Sequence, residues 1–155
     1  ATRQAQTPAI DRLIQQYIAP GRHRPALGFH RLNGLMKGFI DLLAEHDGRY
    51  YVIDWKSNWL GADDSAYQPE AMIQAMLDKR YDVQLAIYLL ALHRHLRDTL
   101  PDYDYQRDIG GGMLVFLRGI GAESRGVHLE KPPIDFIIVL DALMAGEVPT
   151  EQEAS

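Results

Sequence analysis

Cysteine is absent from the 155-residue chain. Its absence excludes disulfide bonds, thiolate zinc sites and thiol nucleophiles, so a bound metal ion would need oxygen or imidazole ligands. No apolar run approaches the length of a membrane-spanning helix, and the first residues lack the charged start and apolar centre of a signal peptide. We therefore expect one soluble, cytoplasmic domain over residues 1–155, without membrane association.

Basic residues are in the minority, because 16 Lys and Arg stand against 21 Asp and Glu and the formal net charge is −5. An autonomous nucleic-acid-binding protein relies on many lysine and arginine contacts to phosphate, so this balance argues weakly against one. Three short basic clusters nonetheless occur, at residues 21–24, 78–80 and 93–97. Solvated surface is the simpler interpretation of all three.

Hydrophobic periodicity and turn residues predict a mixed α/β fold. Two segments typical of strands, 35–44 and 50–57, flank Asp47-Gly48, and this dipeptide between such segments is a strong hairpin signal. Helical spacing and turn residues predict the other elements: a helix near 11–18, two helices or one broken helix over 70–77 and 81–96, a strand within 110–121, and a closing helix within 132–146. The order is therefore α, β, β, α, α, β, α.

A two-residue turn at residues 47–48 also fixes which hairpin residues face each other. In that register Asp41 faces Asp54. Because side chains alternate between faces along a strand, Lys56 lies on the face of Asp54 and diagonal to Asp41. The neighbours that point to the opposite face are Ile40, Leu42, Ile53 and Trp55. Three charged groups thus share one patch of the predicted hairpin.

Two facing carboxylates are destabilising unless a shared proton, a cationic side chain or a metal ion intervenes. Mg²⁺ takes oxygen ligands, often one or two carboxylates together with water and substrate phosphate. With Lys56 nearby, Asp41 and Asp54 suit phosphodiester hydrolysis, in which the metal lowers the pKa of water and the lysine orients the nucleophile. A surface ion pair of Asp54 and Lys56, with Asp41 as a spectator, is the alternative.

Longer stretches carry a resemblance to a known family. In order between residues 35 and 119 they are LMKGFIDLLAEHDGRYYVIDWKSNWLG, AYQPEAMIQAM, RYDVQLAIYLLALHRHLR, DYDY and GGMLVFLRG. In these stretches the chain resembles the PD-(D/E)XK nucleases, and among them the C-terminal nuclease domains of the RecB family, the exodeoxyribonuclease V beta subunits. The resemblance implies an α/β core in which a central mixed sheet with a β-hairpin is flanked by helices.

The resemblance also implies a set of site residues. The aspartate of GFIDL and the Asp and Lys of DWKS form the family's metal-binding and catalytic set, carried here by Asp41, Asp54 and Lys56. The carbonyl of Trp55 is implied as a further metal ligand. The implied cofactor is Mg²⁺, for which Mn²⁺ is expected to substitute.

A helical Q-x-x-x-Y pattern of the family is matched by Gln84 and Tyr88. Residues four apart share one face of a helix, which suits two side chains that line one site. Taken without the resemblance, Tyr81, Gln84 and Tyr88 fit a half-buried stripe packed against the sheet equally well. The resemblance favours a role for Gln84 and Tyr88 in the site.

The function implied by the resemblance is metal-dependent hydrolysis of DNA by a C-terminal nuclease fragment of a larger bacterial helicase–nuclease subunit. Its implied role is in double-strand break repair and recombination, as an exodeoxyribonuclease. The implied partners are single-stranded DNA ends delivered by a helicase, and subunits of the RecC and RecD type. Delivery of DNA by a helicase is compatible with an acidic domain that does not bind DNA tightly by itself.

One departure from the family concerns a metal-binding histidine, which the family places on a helix well before the first aspartate. The upstream histidines here are His23 and His30, which we expect in a loop and at the entrance of a strand. Two other functions therefore stay open. One is a catalytically incomplete nuclease-like module that binds a protein or guides DNA, and the other is a regulatory domain that binds Ca²⁺ without cleaving DNA.

Two further residues near the hairpin are weaker candidates for DNA contacts. Trp59 could stack on a base, although packing under its loop is the plainer role. Arg118 follows the predicted strand at 110–121 and is a weak candidate for a phosphate contact.

Overall fold

The computed structural model describes residues 3–38 and 40–146. Its helices and strands are α1 (Arg3–Tyr17), α2 (Phe29–Met36), β1 (Leu42–His46), β2 (Arg49–Lys56), α3 (Pro69–Asp78), α4 (Tyr81–Thr99), α5 (Tyr105–Asp108), β3 (Ile109–Phe116), β4 (Val127–Glu130) and α6 (Ile134–Met144). Short 3-10 turns occupy Asp64–Tyr67 and Leu117–Gly119. Within the described residues, no helix combines the length and apolar character that crossing a membrane requires.

The strands form one four-stranded sheet in the order β1-β2-β3-β4. The outer pairs are antiparallel, whereas β2 and β3 are parallel, so the sheet is mixed. A parallel pair needs a crossover, and here the chain between β2 and β3 supplies α3, α4 and α5. The predicted α/β class and mixed sheet are confirmed.

The β1–β2 hairpin has the predicted register, with His46 opposite Arg49 and Leu42 opposite Ile53. Its turn residues, at positions 47 and 48, have φ angles of 52° and 76°, as a two-residue turn of the mirror-image type requires. Leu42 is exposed.

The predicted start of the first strand, at residue 35, is wrong. Helix α2 continues to Met36, and β1 begins only at Leu42. Leu32 is fully buried and anchors this short helix in the core, which overrides the strand-like composition around it. Asp41 therefore lies just before β1 rather than in the middle of a strand.

Helix α4 packs across one face of the sheet, and its Leu85 and Leu89 are fully buried there. The glycines of β3 permit this close approach. A Cβ atom added to Gly112 would lie 3.1 Å from Leu85 Cδ2 and 3.2 Å from Val52 Cγ2, tighter than most van der Waals contacts. Helices α1 and α6 pack against each other and against α4, so the core lies on this side of the sheet.

Two of the basic clusters contribute to a buried ionic cluster instead of solvated surface, so that prediction is wrong for Arg24 and Arg80. Arg24 Nη1 lies 2.8 Å from Asp82 Oδ2, and both side chains are fully buried. Arg80 Nε lies 3.1 Å from Asp82 Oδ1, and its Nη2 lies 2.7 Å from Asp11 Oδ1. Arginines can be buried here because two carboxylates compensate their charges. This ionic cluster fixes the start of α4 against α1.

The third basic cluster, at residues 93–97, is also only partly solvated. Arg94 and Arg97 both form ion pairs with Asp141, which joins α4 to α6. His93 is almost completely buried, and its Nδ1 lies 2.8 Å from Tyr103 Oη. The cluster therefore fastens helices together, whereas His95 within it is exposed as predicted.

Candidate active site

The candidate site lies at the carboxyl end of β2, where that strand is covered by the first turns of α4. Ligand sites of α/β proteins commonly lie outside the carboxyl ends of parallel strands, and β2 and β3 are the parallel pair here. Alternation along β2 places Asp54 and Lys56, its last residue, on the face that packs against α4. The opposite face carries Trp55, whose side chain is exposed.

The two predicted carboxylates meet at this position. Asp54 is buried with 4% of its surface exposed, whereas Asp41 is exposed. Asp41 Oδ2 accepts a hydrogen bond of 2.9 Å from the backbone N–H of Trp55, which ties the residue to β2 although it precedes β1. Asp41 also reaches the side chain of Asp54. The structure thus brings the pair together from the chain entering the hairpin rather than from two paired strand positions.

The pKa of Asp54 is raised from 3.8 to about 6. Burial is the main cause, because it disfavours the charged carboxylate, and the neighbouring Asp41 raises the pKa further. Lys56 opposes both effects. Asp54 is therefore a carboxylate that stays charged at neutral pH at a cost in free energy.

One oxygen of Asp54 has no hydrogen bond. Lys56 Nζ lies 2.8 Å from Oδ2 and forms an ion pair with it, but the angles fall outside those of a hydrogen bond, so no well-aligned donor reaches this buried oxygen. Buried carboxylate oxygens are normally satisfied by donors or by a metal ion. An unsatisfied, charged oxygen beside a second carboxylate therefore fits a ligand of a divalent cation.

The ammonium of Lys56 is oriented by α4. Lys56 Nζ donates a hydrogen bond of 2.6 Å to Gln84 Oε1, and Gln84 Nε2 donates one of 3.0 Å to Tyr88 Oη. Because lysine has only donors, it requires the oxygen of the amide, and the nitrogen is left for the phenol. Gln84 and Tyr88 thus lie in one chain of hydrogen bonds that begins at Lys56.

Tyr88 also borders the segment that leads to Asp41. A Cβ atom added to Gly38 would lie only 2.9 Å from Tyr88 Oη, so glycine at this position leaves room for the phenol. Burial is the main factor that raises the pKa of Tyr88, and the charges of Asp54 and Asp41 raise it further. The phenol therefore stays neutral at physiological pH and can donate or accept hydrogen bonds within the site.

Two residues join the site that the sequence indicated weakly or not at all. Lys56 Nζ lies 3.8 Å from the centroid of the Tyr81 ring, and the hydroxyl of Tyr81 is hydrogen-bonded to Asn58. Tyr81 belongs to the same helical stripe as Gln84, and this spacing was the one feature of the sequence that could have placed it near the site. Nothing in the sequence pattern pointed to Asn58, because its contact depends on how the loop after β2 folds over α4.

The other candidate residues lie apart from the carboxylates. His30 is exposed on α2, not at a strand entrance as expected, and His23 is exposed in the preceding loop. Among residues 3–38 and 40–146, no group of three or more His, Asp or Glu side chains is placed to hold a metal ion, so neither histidine completes the pair. A cation here would need water, phosphate or backbone oxygens as its remaining ligands.

Trp59 is 66% exposed, so the prediction that it packs under its loop is wrong. The loop instead rests on Tyr67, whose hydroxyl accepts a hydrogen bond of 3.2 Å from the backbone N–H of Leu60. Arg118 Nε donates a hydrogen bond of 2.8 Å to the carbonyl of Ser57, which joins the loops after β2 and β3.

The raised pKa of Asp54 gives a prediction about stability. Well below pH 3.8 the carboxyl is protonated in both the folded and the unfolded chain, and as pH rises from there through about 6 the buried charge reduces folded-state stability. We expect Asp54→Asn to stabilise the cation-free chain at neutral pH by about 2–3 kcal/mol and to change little near pH 4. Urea unfolding of both proteins at the two pH values measures the difference.

Glu123→Gln is the control, because Glu123 is an exposed carboxylate and its replacement should leave stability unchanged at both pH values. Equal stability of Asp54→Asn and the unaltered chain at neutral pH would show that burial does not strain this carboxylate.

The family model for the PD-(D/E)XK nuclease superfamily matches residues 3–132, which include every residue of the candidate site. The chain belongs to the PD-(D/E)XK nuclease superfamily. Nucleases of this superfamily generally use divalent metal ions, in agreement with the paired carboxylates.

Similar proteins are subunits of one enzyme. The chain is 45% identical to the RecBCD enzyme subunit RecB of Escherichia coli (strain K12), over 88% of the chain and 12% of that subunit. It is 44% identical to the RecB subunit of Haemophilus influenzae, over 78% of the chain and 10% of that protein. It is 31% identical to the RecB subunit of Mycolicibacterium smegmatis, over 79% of the chain and 13% of that protein. The chain thus spans only about an eighth of the length of these relatives.

Proposed function

We propose that this chain hydrolyses phosphodiester bonds of DNA as the Mg²⁺-dependent exonuclease domain of a RecBCD-type helicase–nuclease. The observation that supports this best is the buried, unsatisfied Oδ2 of Asp54, placed between Asp41 and the ammonium of Lys56. A structural ion pair would satisfy its carboxylate with donors, whereas a site for a cation and a phosphate needs an oxygen that is free to bind.

Asp41 and Asp54 would hold the cation, with the carbonyl of Trp55 as a further ligand. The net charge of the two carboxylates and Lys56 is negative, which favours cation binding before DNA arrives. When bound, the divalent cation supplies a Lewis acid that favours deprotonation of water and offsets phosphate charge. Mg²⁺ is the proposed ion because the donors are hard oxygens, and Mn²⁺ should substitute.

Hydrolysis forms one phosphorus–oxygen bond from water and breaks another, and it yields a phosphomonoester and a hydroxyl group. Lys56 can orient the attacking water with an N–H and place positive charge beside the phosphate as negative charge develops. Gln84 and Tyr88 keep the ammonium aimed through their hydrogen bonds. These residues therefore act through Lys56, while the carboxylates act through the cation.

The proposed setting is double-strand break repair in the bacterial cytoplasm, with RecC- and RecD-type subunits as partners. The relatives carry the name of a RecBCD subunit, which supports a multi-subunit enzyme. Single-stranded ends delivered by a helicase are the proposed substrate. A net charge of −5 is compatible with such delivery, because the domain need not attract DNA by itself.

Calorimetric titration with Mn²⁺ and cleavage of a labelled single-stranded oligonucleotide in Mg²⁺ test this function together. We expect the unaltered chain to bind Mn²⁺. Asp54→Asn should weaken binding at least about a hundredfold, because a neutral amide replaces a buried, charged carboxylate ligand. Cleavage should require the divalent cation and disappear in the same variant. The cleavage arm should also be run on the longest natural polypeptide that contains this sequence.

Glu123→Gln again serves as the control and should bind Mn²⁺ and cleave normally. Equal Mn²⁺ affinity of Asp54→Asn and the unaltered chain would contradict the carboxylate site. Cation binding without cleavage in either polypeptide would instead support a regulatory cation-binding domain. DNA or protein binding without cation binding would support a catalytically incomplete module.

A further inference from the structure

The ring of Tyr81 forms one wall around the ammonium of Lys56. Nζ lies 3.8 Å from the ring centroid, within the range of a cation–π contact. On its other sides Nζ contacts Asp54 Oδ2 at 2.8 Å and Gln84 Oε1 at 2.6 Å. The side chain of Lys56 is 11% exposed, so the contact is largely shielded from water, where such contacts are strongest.

Tyr81 is itself held from two directions. Asn58 Nδ2 donates a hydrogen bond of 3.1 Å to Tyr81 Oη, which fastens the ring to the loop after β2. The residues on either side, Arg80 and Asp82, belong to the buried ionic cluster, and Arg80 adopts a left-handed conformation with φ of 55°. The ring is therefore fixed by both its hydroxyl and its backbone.

From this geometry we propose that Tyr81 is a positioning residue for Lys56, with Asn58 holding the phenol in place. This proposal rests on the proposed nuclease function for its catalytic consequence. An ammonium has three N–H donors, and the ring face attracts its charge without taking a directed hydrogen bond. With one N–H on Gln84 and the ion pair to Asp54, an N–H stays available for water or phosphate.

A half-buried tyrosine that serves only packing would not depend on where Lys56 lies. A positioning residue should affect the rate of the chemical step more than DNA binding, because a small misplacement of a catalytic group is costly. We expect Tyr81→Leu to lower kcat about tenfold with little change in KM, which corresponds to loss of a shielded cation–π contact. Tyr81→Phe keeps the ring face and should retain most of kcat.

NMR of the chain tests the contact without any cleavage. The ε-CH₂ protons of Lys56, observed in ¹³C-lysine-labelled protein and assigned with Lys56→Met, should be shifted upfield by the ring current of Tyr81. We expect this shift to persist in Tyr81→Phe, to disappear in Tyr81→Leu, and to be present without metal or DNA. A nuclease assay on the same variants then gives kcat and KM.

Tyr103→Leu is a matched control. Tyr103 is also half-buried, and it contacts His93 both through its ring and through a hydrogen bond of its hydroxyl. It packs near the other end of α4, far from Lys56. Its replacement should leave the Lys56 signal unchanged. Absence of the upfield shift in the unaltered chain overturns the proposal, as does equal loss of kcat in Tyr81→Phe and Tyr81→Leu. A normal shift, with no DNA cleavage by this chain or by the longest natural polypeptide that contains it, would refute the nuclease function and leave the contact standing.

Discussion

Lys56→Met should abolish most DNA cleavage while cation binding survives. Methionine keeps a long, unbranched side chain in the space beside Tyr81, but it removes the charge and the donors. Loss of one group that stabilises developing charge typically costs about a hundred- to a thousandfold in kcat, and we expect an effect of that size. Single-turnover cleavage of a labelled oligonucleotide in Mg²⁺ measures it, with Mn²⁺ calorimetry on the same protein.

The calorimetry should be run at about pH 8.5, because Lys56 opposes the burial effect and its removal raises the pKa of Asp54 further above the ordinary carboxyl value. Lys79→Met is the matched control, since Lys79 is an exposed lysine at the end of α3. If Lys56→Met cleaves at the normal rate, the lysine is only the counter-charge of Asp54. If it no longer binds Mn²⁺ at high pH, the lysine instead maintains the geometry of the carboxylates.

Asp82→Asn should destabilise the chain by about 3–5 kcal/mol, the usual cost of removing one partner from a buried ionic contact. Asp82 is the shared partner of Arg24 and Arg80, and its side chain is fully buried. The amide would lose the negative charge and keep one acceptor oxygen for two guanidinium groups, so Arg24 would rely mainly on the backbone carbonyls of Arg22 and Ala19. Urea unfolding measures the change in the free energy of unfolding.

Asp78→Asn is the comparison, because Asp78 is exposed and its hydrogen bond from Gln74 lies on the surface of α3. We expect a change below about 0.5 kcal/mol for that variant. A loss of less than 1 kcal/mol in Asp82→Asn would mean that water reaches the buried arginines. Because the ionic cluster fixes the start of α4, Asp82→Asn should also weaken the upfield shift of the Lys56 ε protons.

The hairpin was predictable because its determinants are local. Asp47-Gly48 sets the turn, the turn sets the register, and the register places Asp54 and Lys56 on one face. The start of β1 was not predictable in the same way, since Leu32 anchors a helix only through contacts with distant parts of the core. The four-residue strand β4 is also too short for its alternation to be distinguished from a loop.

In the site, too, some features follow from local sequence and others depend on distant contacts. Carboxylate and lysine positions followed from the hairpin and from the family resemblance, whereas the environment of Lys56 depends on partners far along the chain. Gln84 is 28 residues away from Lys56, and Arg24 is 58 residues away from Asp82. Composition cannot show that an arginine is buried, because burial depends on a carboxylate that another helix brings to it.

The parallel pairing of β2 with β3 has a consequence for the order of folding. The hairpin closes a very short loop, while β2 meets β3 only after the crossover that contains α3, α4 and α5 has been closed, and long loops form slowly. We therefore expect Asp41 and Asp54 to come together early in folding, whereas Lys56 meets Gln84 and Tyr81 only when α4 docks. On this expectation the acidic half of the site forms before its partners on α4 arrive, and it is the half suited to bind a divalent cation first.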